Sequence, residues 1–188
     1  MKFNDGFEEA AFKERIFFNG LRNKFNLFPE ENWTIDETHY TNYTKYDYMI
    51  HSKKEIKRYI VEIKVRTDNY ENYIYESKKH ISLSAIKNID ETRNTIIYIN
   101  STPQGTYIWN IDKIIHKYKP ILKEMNIATM RSRTEKEDKR VYLLKPEDAK
   151  FVDYTYDQKD FIKIMAEYKR KEDEKKKPKS RGLDFLFE

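Results

Sequence analysis

Two short segments carry three residues whose types suit phosphodiester chemistry. Asp47 lies in YDYMI (46–50), and Glu62 and Lys64 lie in YIVEIKVR (59–66). In the second segment apolar residues alternate with Glu62 and Lys64, so a period of two places the acid and the amine on one face of a strand. A short polar connection predicts a hairpin that brings Asp47 across from Glu62. Paired carboxylates suit Mg²⁺, and a nearby lysine can orient or deprotonate an attacking water, which together predict a metal-dependent nuclease.

This set of three residues resembles the PD-(D/E)XK nuclease superfamily, over about residues 7–100, although Tyr46 stands where the family name has proline. The resemblance implies an α/β fold with a restriction-endonuclease-like core, in which helices flank a central mixed β-sheet. It also implies that Asp47, Glu62 and the carbonyl of Ile63 ligate Mg²⁺ or Mn²⁺, while the lysine positions the attacking water.

Residues 6–25 are predicted to form an amphipathic helix, with Asp5 as N-cap and Glu8 completing a capping box. At about 100° per residue, one face of this helix is apolar and comprises Phe7, Ala10, Ala11, Phe17, Phe18, Leu21 and Phe25. Glu14 lies in the middle of that face, where a carboxylate is unfavourable unless a cation or a donor meets it. The superfamily often has a glutamate here that points into the site, so we expect Glu14 to contact the metal or the catalytic lysine. A structural Arg or Lys partner is the alternative.

The segment after the motif strands predicts a second helix, which Ser77 can cap. Its apolar residues at helical spacing are Ile81, Ala85, Ile86 and Ile89. This segment resembles the resolvase-like branch, in which the first turn of such a helix faces the site. Lys78, Lys79 and His80 occupy that turn here, and the resemblance implies that they contact the DNA backbone, with Lys78 on the phosphate. Ordinary surface lysines are the alternative.

Further elements are predicted along the rest of the chain. Strands are expected near 32–38, 94–100, 106–111, 128–133 and 139–144, with a helix around 112–125 that Pro120 interrupts. A last helix from about Asp157 presents an apolar stripe formed by Phe161, Ile164, Met165 and Tyr168. The pattern predicts one domain over residues 1–168, a flexible basic linker over 169–181 and a terminal segment over 182–188.

Composition limits the function classes. The chain of 188 residues has no cysteine, which excludes disulfides, thiolate nucleophiles and cysteine-based zinc sites. The absence of a long apolar stretch or a signal-type leader predicts a cytoplasmic protein without a membrane partner. The linker 169–181 contains eight Lys or Arg and three acids, so it accounts for the whole net charge of +5. A basic linker of this kind could act as a flexible arm on DNA.

Two groups of tyrosines flank the motif residues: Tyr40, Tyr43, Tyr46 and Tyr48 before the catalytic strand, and Tyr70, Tyr73 and Tyr75 after it. Such rings could stack on unpaired bases of a single-stranded or branched substrate. The alternative, which we favour at this point, is a compositional bias, since the chain is also rich in Lys, Asn and Ile.

The chain ends with GLDFLFE, an apolar cluster on a charged tether. Such a segment is typical of a short motif that docks in a groove on a partner. Leu183, Asp184, Phe185, Leu186 and Phe187 resemble the C-terminal sliding-clamp-binding motif of T-even-type phages. The resemblance implies a phage-type protein that acts in the bacterial cytoplasm. Folding of the two phenylalanines back onto the body is the alternative.

These observations favour a Mg²⁺- or Mn²⁺-dependent endodeoxyribonuclease in which Asp47, Glu62 and Lys64 are catalytic. A different class is a catalytically inactive nuclease-like factor that binds DNA or a clamp, and an RNA-directed nuclease is a third hypothesis. Resolvase-like relatives work as dimers, so the resemblance allows a homodimer as well as a monomer.

Overall fold

The protein has an α/β fold in which helices pack on a mixed sheet. The computed structural model describes residues 6–37, 46–87, 93–126, 136–159, 161–164, 166–167 and 170. In chain order the elements are α1 (Gly6–Phe25), β1 (Trp33–Glu37), β2 (Tyr48–Ser52), β3 (Lys57–Val65), β4 (Tyr73–Glu76), α2 (Ser77–Lys87), β5 (Arg93–Thr102), β6 (Gly105–Asn110), α3 (Ile111–Ile114), β7 (Ile121–Asn126), β8 (Lys136–Leu144) and β9 (Lys150–Val152). Short 3₁₀ turns follow α3 at Ile115–Lys117 and β8 at Pro146–Asp148.

The larger sheet has six strands in the order β1-β2-β3-β5-β6-β9. β3 and β5 are parallel, and the other neighbours are antiparallel. Parallel neighbours need a crossover connection, which β4 and α2 supply here. A smaller antiparallel sheet, in the order β4-β8-β7, packs beside α2.

The larger sheet is covered on both faces, because residues of opposite parity along β3 enter different clusters. On one face Phe17, Phe18 and Leu21 of α1 pack in the same cluster as Val61 and Ile63. The other face is packed by aromatic and aliphatic side chains from both sheets, α2 and α3, including Ile60, Tyr73, Tyr75, Leu83, Tyr98 and Trp109. β3 is therefore a central strand that is buried over residues 60–63, and Glu62 on it is removed from bulk water.

Most predicted elements of the first 110 residues are confirmed, including the helix over 6–25 and the strands near 32–38, 94–100 and 106–111. The two motif strands form the predicted antiparallel pair. Asp47 itself lies just before β2 rather than within it. The predicted apolar face of α1 is buried at Phe17, Phe18 and Leu21 but is exposed at Ala10 and Phe25 near the two ends of the helix.

The prediction of a helix around 112–125, interrupted at Pro120, is confirmed before the proline and wrong after it. Helical structure ends at Lys117, and residues 121–126 form β7. Pro120 disfavours helical geometry at the preceding residue. β7 then pairs with β8 in an antiparallel register in which Ile121 is opposite Val141. This pairing joins two consecutive strands, and the periodicity within 112–125 alone does not report it.

The predicted apolar stripe of α2 is also wrong in its phase. Ile81 is 65% exposed and Ala85 is exposed, whereas Leu83 is fully buried. Ile86 packs against the same core as Leu83. The helix docks through the side that carries Leu83, because β4 fixes where the chain enters α2.

Some predictions fall outside the described residues: Asp5, the side chains of Phe7 and Glu8, Ile89, the strand at 128–133, Met165, Tyr168, and the segment 171–188 with Leu183, Asp184, Phe185, Leu186 and Phe187. Near the end of the described chain, Phe161 forms an edge contact with the ring of Phe12 on α1, at 6.0 Å between centroids. The predicted strand at 139–144 is confirmed as the second part of β8. None of the helices in the described part of the chain is long and apolar enough to cross a bilayer.

Candidate active site

The site begins where the chain enters β2, beside the second half of β3. The backbone N–H of Asp47 donates to the carbonyl of Val61 at 3.0 Å, which extends the β2–β3 ladder by one residue. Because Tyr48 is opposite Val61 in the register, Asp47 lies opposite Glu62, as the hairpin prediction required. The carboxylate of Asp47 accepts a 2.6 Å bond from the backbone N–H of Ile63. The aspartate is thus held against the middle of β3.

Glu62 and Lys64 lie on one face of β3, in agreement with the period of two. Glu62 is only 2% exposed, and its Oε1 lies 3.0 Å from the Nζ of Lys64. The same Nζ donates to the carbonyl of Ile63 at 2.8 Å. The lysine therefore folds back over its own strand toward the acid.

Glu14 reaches this point from α1. It is 8% exposed, and its Oε1 accepts from the Nζ of Lys64 at 3.1 Å. The sequence argument placed a carboxylate within an apolar stripe and required a cation for it, and Lys64 is that cation. The interaction joins α1 to β3 across residues that are 50 positions apart.

The first turn of α2 contributes one lysine. The Nζ of Lys79 lies 2.9 Å from the Oε2 of Glu62, so each oxygen of Glu62 faces a different lysine. Lys78 is exposed instead and lines a groove of about 310 Å³ between α2 and the β7–β8 pair. His80 packs its ring against Tyr75 and Tyr142, with centroids 5.9 and 5.8 Å away. The structure thus brings Lys79, but not Lys78 or His80, to the acids.

We call the resulting group the carboxylate cluster, which consists of Glu14, Asp47, Glu62, Lys64 and Lys79. Its charges shift one another's pKa values. Burial, and then the charges of Glu62 and Glu14, raise the pKa of Asp47 well above its ordinary value. Burial also raises the pKa of Glu14, although Lys64 opposes the change. Three carboxylates and two ammonium groups leave one negative charge in excess when all are ionised.

The two remaining members respond in the opposite direction. Burial alone would raise the pKa of Glu62, but the ammonium groups of Lys64 and Lys79 lower it. Burial opposes the charge of Lys64, yet the surrounding carboxylates hold its pKa well above the ordinary value. Lys64 is therefore a cation at neutral pH in this arrangement, and it can donate hydrogen bonds but not accept a proton. Burial lowers the pKa of His80, which is consistent with its aromatic surroundings.

The donor set suits a hard divalent cation. Carboxylate oxygens and a backbone carbonyl are the ligands that Mg²⁺ and Mn²⁺ prefer, and they come from Asp47, Glu62, Glu14 and Ile63. Burial is the largest cause of the raised pKa of Asp47, and the charges of Glu62 and Glu14 add to it, so a cation bound here would lower that pKa. In the described part of the chain, no three acidic or histidine side chains stand close enough together to enclose an ion as they are placed. Lys64 lies between Glu14 and Glu62, so ion binding would require its ammonium group to move.

Sequence reasoning missed two residues beside the cluster. Arg66 continues the alternation of Glu62 and Lys64, and its backbone N–H donates to Ser101 at 2.8 Å. Its Nε donates to the Oδ1 of Asn100 at 3.2 Å. The period of two that selected Glu62 and Lys64 would have selected Arg66 as well, because it is two residues further along the same face.

The predicted tyrosine groups are mainly structural. Tyr48, Tyr73 and Tyr75 are at most 3% exposed and belong to the two cores. Tyr46 packs on the edge of one core, and Tyr70 is exposed. Tyr40 and Tyr43 lie outside the described residues. Tyr48, Tyr73 and Tyr75 are therefore explained without a role in stacking on bases.

Comparison with known proteins adds no family to this geometry. Neither a scan of protein-family models nor a search of curated proteins finds a match to this chain. The functional conclusion must therefore be argued from the carboxylate cluster and its surroundings.

Proposed function

We propose that this protein is a Mg²⁺- or Mn²⁺-dependent endodeoxyribonuclease with a site and core of the PD-(D/E)XK type. The observation that carries the proposal is the contact of Lys64 with both Glu62 and Glu14, at 3.0 and 3.1 Å, beside Asp47 on the adjoining strand. Such a buried excess of carboxylates is unfavourable for folding alone, and it suits a site that receives a divalent cation.

In this proposal Asp47, Glu62 and the carbonyl of Ile63 hold the cation, and Glu14 is a further ligand or orients Lys64. When bound, the cation would lower the pKa of a water and offset charge on the phosphate. The backbone N–H of Ile63 holds the carboxylate of Asp47 in place, so one residue of β3 orients one ligand and supplies another.

Lys64 acts as a hydrogen-bond donor to the reacting groups. Its high pKa keeps it protonated near neutral pH, so we assign it to orienting the attacking water and stabilising negative charge on the phosphate. The contact with Glu14 sets where the flexible side chain can reach. Of the two roles that the sequence left open for this lysine, orientation is favoured over deprotonation.

Lys79 is assigned the phosphate-facing role in place of Lys78. It lies at the first turn of α2 and touches Glu62, whereas Lys78 faces the groove beside β7 and β8. Backbone N–H groups at the start of this eleven-residue helix add to the positive potential there. The proposed substrate is DNA. A sliding clamp, reached through residues 182–188, is the proposed partner that would raise the local concentration of a body with little net charge.

The test is a gel assay of the purified protein on supercoiled, linear, single-stranded and branched DNA with Mg²⁺, Mn²⁺ or EDTA. The central variant is Asp47→Asn, which removes a ligand charge without leaving a cavity. Asp36→Asn is the matched control, because Asp36 lies on the neighbouring strand β1, is exposed, and pairs with His51 instead of with the cluster.

We expect cleavage in Mg²⁺ or Mn²⁺ that EDTA and Asp47→Asn abolish and that Asp36→Asn leaves intact. Cleavage that survives Asp47→Asn would exclude this site as its source. DNA binding in the presence of metal, without cutting of any of the four substrates, would instead support the alternative of a catalytically inactive DNA-binding factor.

A further inference from the structure

A single lateral row of side chains leads away from the carboxylate cluster across the larger sheet. In the strand registers Lys64 lies opposite Asn100, Asn100 opposite Tyr107, and Tyr107 opposite Phe151. Residues that are paired in this way share one face of a sheet. Three interstrand steps of about 4.8 Å place Phe151 roughly 14 Å from Lys64 along this row. The row therefore connects the proposed catalytic amine to the outer strand of the sheet.

The polar half of the row contains an incompletely bonded amide. Asn100 is fully buried, and its Oδ1 accepts from Arg66, but its Nδ2 has no hydrogen-bond partner. This nitrogen is itself closed to solvent, so the member of the pair that can meet a ligand is Arg66, which is half-buried. Arg66 lies about 7 Å beyond Lys64 on the same face of β3, which is comparable to the spacing of successive phosphates in an extended strand. The guanidinium group of Arg66 and the ammonium group of Lys64 both suit a phosphate oxygen.

The outer half of the row, Tyr107 and Phe151, is aromatic, and two rings from outside the row continue it: Tyr73 at the start of β4 and Tyr70 in the loop before β4. Consecutive ring centroids lie 6.2 Å apart for Tyr70 and Tyr73, 5.0 Å for Tyr73 and Tyr107, and 5.2 Å for Tyr107 and Phe151. The two inner rings are wholly or partly buried, whereas Tyr70 is 45% exposed and Phe151 is 50% exposed. The chain of rings thus ends in solvent at both termini, on either side of Tyr107.

Local contacts hold both exposed rings in place. The loop that carries Tyr70 is tied to the β5–β6 turn, because the Oδ1 of Asn69 accepts from the backbone N–H of Gln104 at 3.3 Å. The ring of Phe151 lies over Gly105, where an added Cβ would collide with it. Gly105 has a φ of +149°, which also favours glycine. Rings that are held before binding lose little freedom when they stack on a ligand.

We propose that Arg66, Tyr70 and Phe151 form a subsite for an unpaired, single-stranded segment of the DNA that extends from the scissile phosphate. This inference rests on the proposed function, because the row begins at Lys64. Arg66 contacts phosphate, and the two exposed rings stack on bases.

Stacking is the principal interaction, since Asp68 and Glu71 lie in the same loop as Tyr70 and weaken a purely electrostatic contact. Bases of a duplex are already stacked and are not accessible to these rings. The subsite therefore selects single-stranded, flapped or branched DNA.

The experiment measures the affinity of the full-length protein for a fluorescein-labelled oligo(dT) and for the matching dT–dA duplex, by anisotropy in EDTA. Phe151→Ala and Tyr70→Ala are each expected to weaken binding of the single strand by about 5- to 50-fold, and binding of the duplex by less than about twofold. Phe151→Trp should retain the affinity of the wild type. Phe25→Ala is the matched control, because Phe25 is also an exposed ring but lies at the end of α1.

A second arm tests the phosphate contact. Arg66→Gln is expected to lower the salt dependence of single-strand binding by about 0.7 in the slope of log K against log salt. Arg58→Gln, at the other end of β3 and about 26 Å away, removes the same charge and should leave the slope unchanged. Thermal melting of each variant identifies any that fail to fold.

Unchanged single-strand affinity in both ring variants, or an equal loss for single strand and duplex, would overturn the subsite. A preference for oligo(rU) over oligo(dT) would overturn its assignment to DNA. Because binding is measured in EDTA, these results do not depend on cleavage. If the ring variants lose single-strand affinity while the wild type cuts no DNA, the subsite is supported and only the proposal of nuclease activity fails.

Discussion

Two of the places in the described part of the chain where carboxylates meet lysines differ in their balance of charge. In the carboxylate cluster three acids, of which Glu14 and Glu62 are buried, face two lysines, and the pKa of Asp47 is raised. Near the 3₁₀ turn at 146–148, a single carboxylate, Asp148, accepts from Lys117 at 2.6 Å and from the hydroxyl of Tyr118. Hydrogen bonds from these two groups lower the pKa of Asp148.

The contacts of Asp148 stabilise the fold, whereas the like charges of the carboxylate cluster are unfavourable for folding. The Asp148 contacts are complete, because the hydroxyl of Tyr118 also accepts from the backbone N–H of Lys145 at 3.0 Å. Burial, and then the bond to Asp148, raise the pKa of Tyr118 to about 12, so the phenol remains protonated and donates. In the carboxylate cluster like charges remain close together, and an incoming cation would relieve them. Unfavourable electrostatics that persist in a buried site indicate function.

The largest expected effect comes from Asp47→Asn. Cleavage should fall by about 10³-fold, while the melting temperature should rise by about 2–4 °C. The pKa of Asp47 is raised in the fold, so its charged form opposes folding at pH values above that raised pKa, and stability grows as the pH falls through the raised pKa toward the ordinary pKa of an unfolded aspartate. Melting at pH 7 and a cleavage assay test both parts. A lower melting temperature would show that the aspartate supports the fold.

Lys64→Met should be next in size. Removing the cation between Glu14 and Glu62 leaves buried carboxylates uncompensated, and we expect a loss of about 2 kcal/mol in the free energy of unfolding at pH 7. The loss should shrink at pH 5, because the raised pKa of Glu14 lets it accept a proton there. Urea unfolding at the two pH values measures this. Adding Glu14→Gln to the Lys64→Met variant should restore part of the stability. A double variant no more stable than Lys64→Met would argue against the contact of Lys64 with Glu14.

Divalent cations should stabilise the folded wild type. At about ten times the dissociation constant, Mg²⁺ or Mn²⁺ should raise the melting temperature by about 3 °C, since only the folded chain assembles the ligands. Asp47→Asn should lose most of this rise, whereas Asp36→Asn should keep it. Sodium chloride at equal ionic strength separates binding from screening. An equal rise in both variants would place the ion elsewhere.

The smallest effect is expected at Asp148 and its contacts with Lys117 and Tyr118. Asp148→Asn should lower the melting temperature by about 2 °C at pH 7 and leave cleavage unchanged. Because the pKa of Asp148 is lowered in the fold, its contribution is present above the unfolded value and is lost as the pH falls through the folded one. The variant and the wild type should therefore converge in melting temperature once the pH falls below the lowered pKa of Asp148. If Asp148→Asn stabilised the protein, the contacts of Asp148 would be unfavourable for folding, as the carboxylate cluster is, and the contrast between the two would be lost.

Much of the candidate site could be predicted because local patterns carry it. Glu62 and Lys64 share a face as a result of the strand period alone, and the short connection to β2 is sufficient to bring Asp47 opposite. Glu14 was identifiable because a carboxylate in the middle of an apolar stripe needs a charged partner. Whether these residues catalyse cleavage stays a prediction.

Other features could not be found in this way. The phase of α2 depends on where β4 delivers the chain, so the sequence predicted Ile81 for the core, where Leu83 is buried instead. The sequence also predicted Lys78, Lys79 and His80 together for the site, and of these three it is Lys79 that contacts Glu62. Likewise, residues 121–126 form β7 because they pair with the next strand, β8. A helix pattern and a strand pattern of similar length compete there, and the pairing partner decides between them.

By itself, then, the sequence determined the first helix, the paired motif strands and the three acids with their lysine, because these depend on the spacing of neighbouring residues. Only the tertiary structure decided that Lys79 meets Glu62, that Asn100 is buried beside Arg66, and that Phe151 and Tyr70 stand at the two ends of one chain of rings. Those relations arise from the order and register of strands that are distant in the chain. They follow from hydrogen bonding and packing between elements, and no periodicity within an element encodes them.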